Sequence, residues 1–151
     1  MVEFALVALL LVMLVFGIIV FGYLLSFKQD VTRAAAEGAR VGAVADPPAA
    51  VPAAMTADSR YVATFDATND AVKSFDQECQ VDGMDCIVTV HDCGNPAVTD
   101  PAAYWNNGVD DCVTVRLEYD YANHPLIVDP PLLSNALPDV VASESVARVN
   151  Q

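Results

Sequence analysis

Positive charge is scarce in this sequence. Seven Lys and Arg stand against 20 Asp and Glu, a formal net charge of -13 over 151 residues. Phosphate backbones need clustered bases, so no nucleic-acid partner is expected. Other absences exclude more. There is no G-x-S-x-G, Walker or H-E-x-x-H pattern and no C-x2-C pair. Only two histidines occur, His91 in a strand-like stretch and His124 in an Asn-His-Pro turn, neither beside a nucleophile in a catalytic pattern. An enzyme, a catalytic residue, a metal site and a cofactor are therefore not expected. The densest acidic clusters, Asp82-Gly83-Met84-Asp85 and Asn106 to Asp111, do not follow the calcium-loop pattern and read as solvated turns. Finally, no proline precedes Pro47, no cysteine precedes Cys79, and no charge falls between Phe4 and Phe27.

That uncharged run is the strongest positive signal. It is long enough to cross the ~30 Å hydrocarbon core of a bilayer, which takes about 20 apolar residues. One acid, Glu3, stands at its tip, and a lone acid in apolar surroundings calls for a partner. The run lacks a basic region before it and an A-x-A site after it, so it does not read as a removable signal peptide. Lys28, Arg33 and Arg40 follow it, which by the positive-inside rule keeps that side cytoplasmic. The cysteines point the other way, toward an oxidising compartment. A basic leader removed from ahead of Met1 would reconcile the two.

With no proline, helical character continues to about Ala45, where Asp46-Pro47-Pro48 ends it. Beyond the apolar run, Ala34, Gly38 and Gly42 recur every four residues, a small-residue stripe that admits close approach of another element. Either the chain's own sheet or a neighbouring copy could use it. Gly17 and Gly22 mark close contacts or a place where the helix can stretch. The division expected is a helix over 1–45, an Ala/Pro-rich connector over 46–58 and an acidic globular domain over 59–151. The charge divides the same way. Residues 1–45 hold three acids and three bases, and residues 46–151 hold 17 acids and four bases.

Within the acidic part, Asp66 to Phe75 predicts a short helix capped by Asp66, with Ala67, Ala71, Val72 and Phe75 buried. Arg60 to Phe65 is ambiguous between strand and helix. Cys86 to His91 and Cys112 to Tyr121 alternate as strands, the second strictly, and Val141 to Val149 is a third candidate. The fold class expected is α+β, a long helix followed by a small antiparallel sheet. The loop Gly94 to Asp111 carries Trp105, which reads as a pin holding the loop to the domain. The cysteines are spaced C-x6-C-x6-C-x18-C, which suits disulfides better than zinc. Three pairings are possible. A hairpin of the first two strands favours Cys93–Cys112 across its loop and Cys79–Cys86 at its entry.

Val2-Glu3-Phe4-Ala5-Leu6, Phe16-Gly17-Ile18-Ile19, Phe21-Gly22, Val31-Thr32-Arg33-Ala34-Ala35 and Glu37-Gly38-Ala39-Arg40 together resemble the N-terminal helix of TadE-like pilins of tight-adherence (Tad) pili. Val113 to Tyr121, His124-Pro125-Leu126 and Ala142 to Val149 add weaker similarity to that family's last strands. The resemblance implies a pilin-like fold in the type IV pilin superfamily. It also implies a precursor held in the inner membrane, then drawn by pilus assembly machinery into an extracellular filament of copies of itself. The family acid that Glu3 matches neutralises the N-terminal amine of a neighbouring subunit. It is normally the fifth residue after leader cleavage, and here it is the third. Glu3, Phe4, Gly17, Gly22, Ala34, Gly38 and Gly42 are the assembly residues so expected. The alternatives are a minor pilin, or a single-pass anchored envelope protein of an adhesion or secretion machine that forms no filament.

Overall fold

The structure, a computed structural model, describes residues 2–46, 55–93, 111–126 and 137–149. Most of the 46–58 connector and the 94–110 loop with Trp105 lie outside the described residues. Helix α1 runs unbroken over Val2–Val44, about 65 Å at 1.5 Å per residue. The N–H of Ala45 still bonds the carbonyl of Val41 (2.9 Å). Asp46 then precedes a proline, which disfavours the helical conformation at that position.

A 3-10 turn at Met55–Ala57 leads into helix α2, Ser59–Lys73. Strands β1 (Met84–Asp92), β2 (Asp111–Asp120) and β3 (Val140–Arg148) form one antiparallel sheet in that order. Val88 faces Val115, which faces Ser145, and that register holds along the whole ladder. Alternation puts Met84, Cys86, Val88 and Val90 of β1 and Val113, Val115, Leu117 and Tyr119 of β2 on the buried face. Helix α1 lies across β2 and β3, with α2 beside it over β1. Thus the second half of α1 is the spine of the globular head.

From Phe27 onward the buried side chains of α1 shrink in chain order. Phe27 and Val31 come first, then Ala34, Ala35 and Ala39, all buried, with Gly38 and Gly42 buried among and beyond them. Phe27 meets Phe75 and Tyr119 edge-on, with centroids at 5.7 and 5.0 Å. At the glycines α2 comes so close that an added Cβ on Gly38 would sit 2.0 Å from Thr68 Oγ1. On Gly42 it would sit 2.1 Å from Thr64 Oγ1. The threonine hydroxyls donate back to their own helix, Thr64 to the Arg60 carbonyl (2.6 Å) and Thr68 to that of Thr64 (2.7 Å). No polar atom is left bare in the contact.

Helix α2 differs from the sequence expectation. It starts at Ser59, not at Asp66, and its cap is Asp58, whose carboxylate accepts the Arg60 N–H at 2.8 Å. Asp66 is exposed in mid-helix. The fully buried face is Arg60, Thr64, Thr68 and Val72, while Ala67, Ala71 and Phe75 are only half-buried. A threonine fits over a glycine groove where a larger apolar side chain would not, so the polar stripe is the one turned inward.

Arg60 is 1% exposed and lies between two buried acids. Its Nη1 donates to Asp111 Oδ2 at 2.7 Å, and its Nε stands 3.7 Å from Asp58 Oδ1. The cluster ties the start of α2 to the start of β2. Two disulfides brace the same sheet: Cys79–Cys86 enters β1, and Cys93–Cys112 joins the end of β1 to the start of β2.

Two outcomes are expected. Gly38→Ala destabilises the head by roughly 1–3 kcal/mol through overpacking. Adding Thr68→Ala restores part of it, and Gly17→Ala leaves the melting temperature unchanged; thermal unfolding of detergent-solubilised protein reads all three. Asp111→Ala leaves a buried guanidinium short of a partner and costs about 3–5 kcal/mol. Glu118→Ala, which breaks the exposed pair with Arg116, costs about 1 kcal/mol or less in the same measurement.

Candidate assembly surface

Among the described residues, nothing covers the first half of α1. Of its described side chains, twelve large apolar ones from Phe4 to Ile19 are exposed, Phe4 by 80%. Among the described side chains of the helix Val20 is the first buried, followed by half-buried Leu24 and buried Phe27. The bare rod, residues 2–19, is about 27 Å long, close to the ~30 Å hydrocarbon thickness. By length and composition α1 is able to cross a membrane. A bare apolar surface of this extent is unstable in water and requires lipid or other apolar helices around it.

The expected assembly residues fall into two groups. Phe4 is on the rod, and an added Cβ on Gly17 or Gly22 would meet nothing within 4 Å, so both glycines open outward. Ala34, Gly38 and Gly42 face the head, and the close approach permitted by the two glycines is used by α2 of the same chain. Glu3 belongs to the first turn of α1; its side chain lies outside the described residues. Past the rod, the exposed face turns polar at Lys28, Gln29, Thr32 and Arg33.

The polar groups of the head hold it together. His91 is buried, with Nε2 2.8 Å from Thr114 Oγ1 and Nδ1 3.0 Å from the Asp92 carbonyl. The His124 ring covers Gly83, which takes φ +82, and its carbonyl accepts the Tyr119 hydroxyl at 2.8 Å. Burial pushes the Tyr119 hydroxyl above the usual tyrosine range, with smaller contributions from Asp82 and other neighbours. Asp120 accepts both the Asn123 side-chain amide (2.6 Å) and its backbone N–H (3.1 Å), which hold its carboxyl below the usual range. Among the described residues, no group of three His, Cys, Asp or Glu could hold a metal ion, and no cysteine is free. The exposed rod offers an apolar helix for burial.

Sequence reasoning missed the Asp58–Arg60–Asp111 cluster and the threonine face of α2. Arg60, Thr64, Thr68 and Val72 do recur at helical spacing behind the capping acid Asp58, a signal visible only if threonine and arginine are admitted as core residues.

No curated protein and no solved structure matches the chain. A family model described as TadE-like protein matches residues 1–40, which are the bare rod and most of the spine. Over those residues the helix is similar to that of TadE-like proteins of the Tad pilus system, and by length and composition it is able to cross a membrane.

Proposed function

We propose that the protein is a structural subunit of an extracellular Tad-like pilus. The observation that carries this reading is the division of α1 at Val20. The head has its own core, sheet and disulfides, yet among the described residues the large apolar side chains of the rod ahead of it are exposed. Each large aliphatic or aromatic side chain taken from water contributes roughly 1.5–3 kcal/mol. Leaving six of the twelve in water therefore costs roughly 9–18 kcal/mol, so the rod stays in lipid or against other rods. Lipid satisfies the rod equally well. The membrane is then a holding place, and assembly passes the rod directly from lipid into a bundle of identical rods without exposure to water. The acidic heads stay outside the bundle and keep the filament soluble.

Glu3 is the recognition element of this scheme. In the dry core of a bundle an unpaired carboxylate is costly, whereas one paired with a cationic amine of the adjacent copy is tolerated and fixes the register of the helices.

Shearing of cells that express the protein is expected to release filaments containing it, seen by electron microscopy and immunolabelling. Recovery from membrane fractions alone would instead establish an anchored envelope protein that forms no filament. Glu3→Ala is expected to lower filament yield at least about tenfold, the loss of one buried charge pair. The protein should remain in the membrane with both disulfides formed; an unchanged yield would remove the pairing role.

A further inference from the structure

Most bases of this acid-rich chain are engaged within it. Arg40 pairs with Glu37, Arg60 with Asp58 and Asp111, Lys73 with Glu78, and Arg116 with Glu118. Arg148 is engaged as well. Among the seven bases, all of them described residues, only the side chains of Lys28 and Arg33 have neither an ion pair nor a hydrogen bond. Both are exposed on α1, around a shallow groove shared with Leu25, Gln29 and Thr32. Asp30 and Glu37 flank them on the same helix, and neither forms an ion pair with them. With 20 acids and seven bases, a chain that leaves two neighbouring bases open has acids to spare for them on another molecule.

The location of those acids is informative. Phe27, next to Lys28, contacts Phe75 and Tyr119, and Tyr119 pairs across the sheet with Met84. The end of the head level with Lys28 is therefore built from the exit of α2 and the turn into β1. It exposes Asp76, Glu78, Asp82 and Asp85. Lys73 is the base among them, and its pair with Glu78 is long, at 3.7 Å, and exposed at both ends. One copy thus presents an open basic face on its helix and an acidic rim on its head at the same height.

The geometry points to a charge contact between copies: Lys28 and Arg33 of one subunit receive the acidic rim of the next. This rests on the filament reading above and adds to it the polar half of the interface. Because the two surfaces are level, neighbours with little axial offset meet directly. Arg33 lies about 7.5 Å further along the helix than Lys28, so a pair is kept when the neighbour is displaced by up to about that distance. The rim excludes a second rim by like charge, so the contact also sets which faces meet.

The test is a charge exchange in the full chain, with sheared filament yield and membrane content measured together. K28E/R33E is expected to lower filament yield about tenfold, the scale of a lost close charge contact. Membrane content should be unchanged. Adding Glu78→Lys and Asp85→Lys is expected to restore the yield. These two are chosen because Asp76 and Asp82 have φ of 63° and 48°, where lysine would be strained. A yield that K28E/R33E leaves unchanged, or a loss that the second pair does not restore, overturns the contact. The second result covers bases that serve lipid phosphates instead. Absence of filaments from wild-type cells overturns the filament reading, and the contact with it. Wild-type filaments indifferent to the exchange overturn the contact alone.

Discussion

The head depends on a gradient of side-chain size along one face of one helix. At Phe27 the face is broad and holds the aromatic rings of α2's exit and of β2 at about van der Waals distance. At Gly38 and Gly42 it is bare backbone, and α2 closes onto it. A second helix can therefore lie against α1 with an aromatic wedge at one end and almost none at the other. The sheet reaches the narrow end as well, where a Cβ added to Gly42 would stand 2.7 Å from Val113 of β2. Reverse the order of sizes and neither the sheet nor α2 would fit where it does. The same gradient explains why α1 cannot be split into a membrane piece and a separate head piece. Its second half belongs to the core of the head, so whatever holds the rod also fixes the orientation of the head.

How much of this was legible in the sequence varied with the kind of signal. The unbroken α1 follows from the lack of proline before Pro47, and β2 from strict alternation between Val113 and Tyr119. Both are local patterns with a single physical reading. The start of α2 was not legible in that way. Its inward stripe is Arg60, Thr64, Thr68 and Val72, and a hydrophobic template passes over three of those four. What turns them inward is a groove in α1 some twenty to thirty residues earlier, together with Asp111, 51 residues from Arg60. The small-residue stripe was legible as a place of close approach, but spacing carries no information about which element approaches. The mate turned out to be α2 of the same chain, not the sheet alone.

The charges show a similar division of labour. The buried Arg60 cluster joins two elements at the end of the head far from the rod, beside Cys112. Breaking either of its acids would leave a cation in a dry site, so the cluster acts as a constraint on how β2 begins relative to α2. At the opposite end the acids face water and repel one another. Repulsion over the ~8–10 Å screening length at ordinary ionic strength is tolerable for a lone head. It becomes a selective force when heads crowd together, because the arrangements that survive are those that put acid next to base.

The place of Glu3 acquires a sharper meaning from the division at Val20. An acid deep in a bilayer costs roughly 2.5–3.5 kcal/mol, but Glu3 need not be deep. From Glu3 to Val20, where the head begins, the helix rises about 26 Å. With the head resting on one surface of a bilayer ~30 Å thick, Glu3 comes within a few ångströms of the opposite headgroups. A modest tilt of the side chain or local thinning brings it to water. In the membrane, then, the acid is close to a solvated state and needs no partner. In the bundle proposed above, neighbouring rods would replace that lipid and close this exit. Under the filament proposal the requirement for an amine would arise only on assembly, so the acid would not hinder residence in the membrane but would penalise any packing of rods that leaves it unpaired.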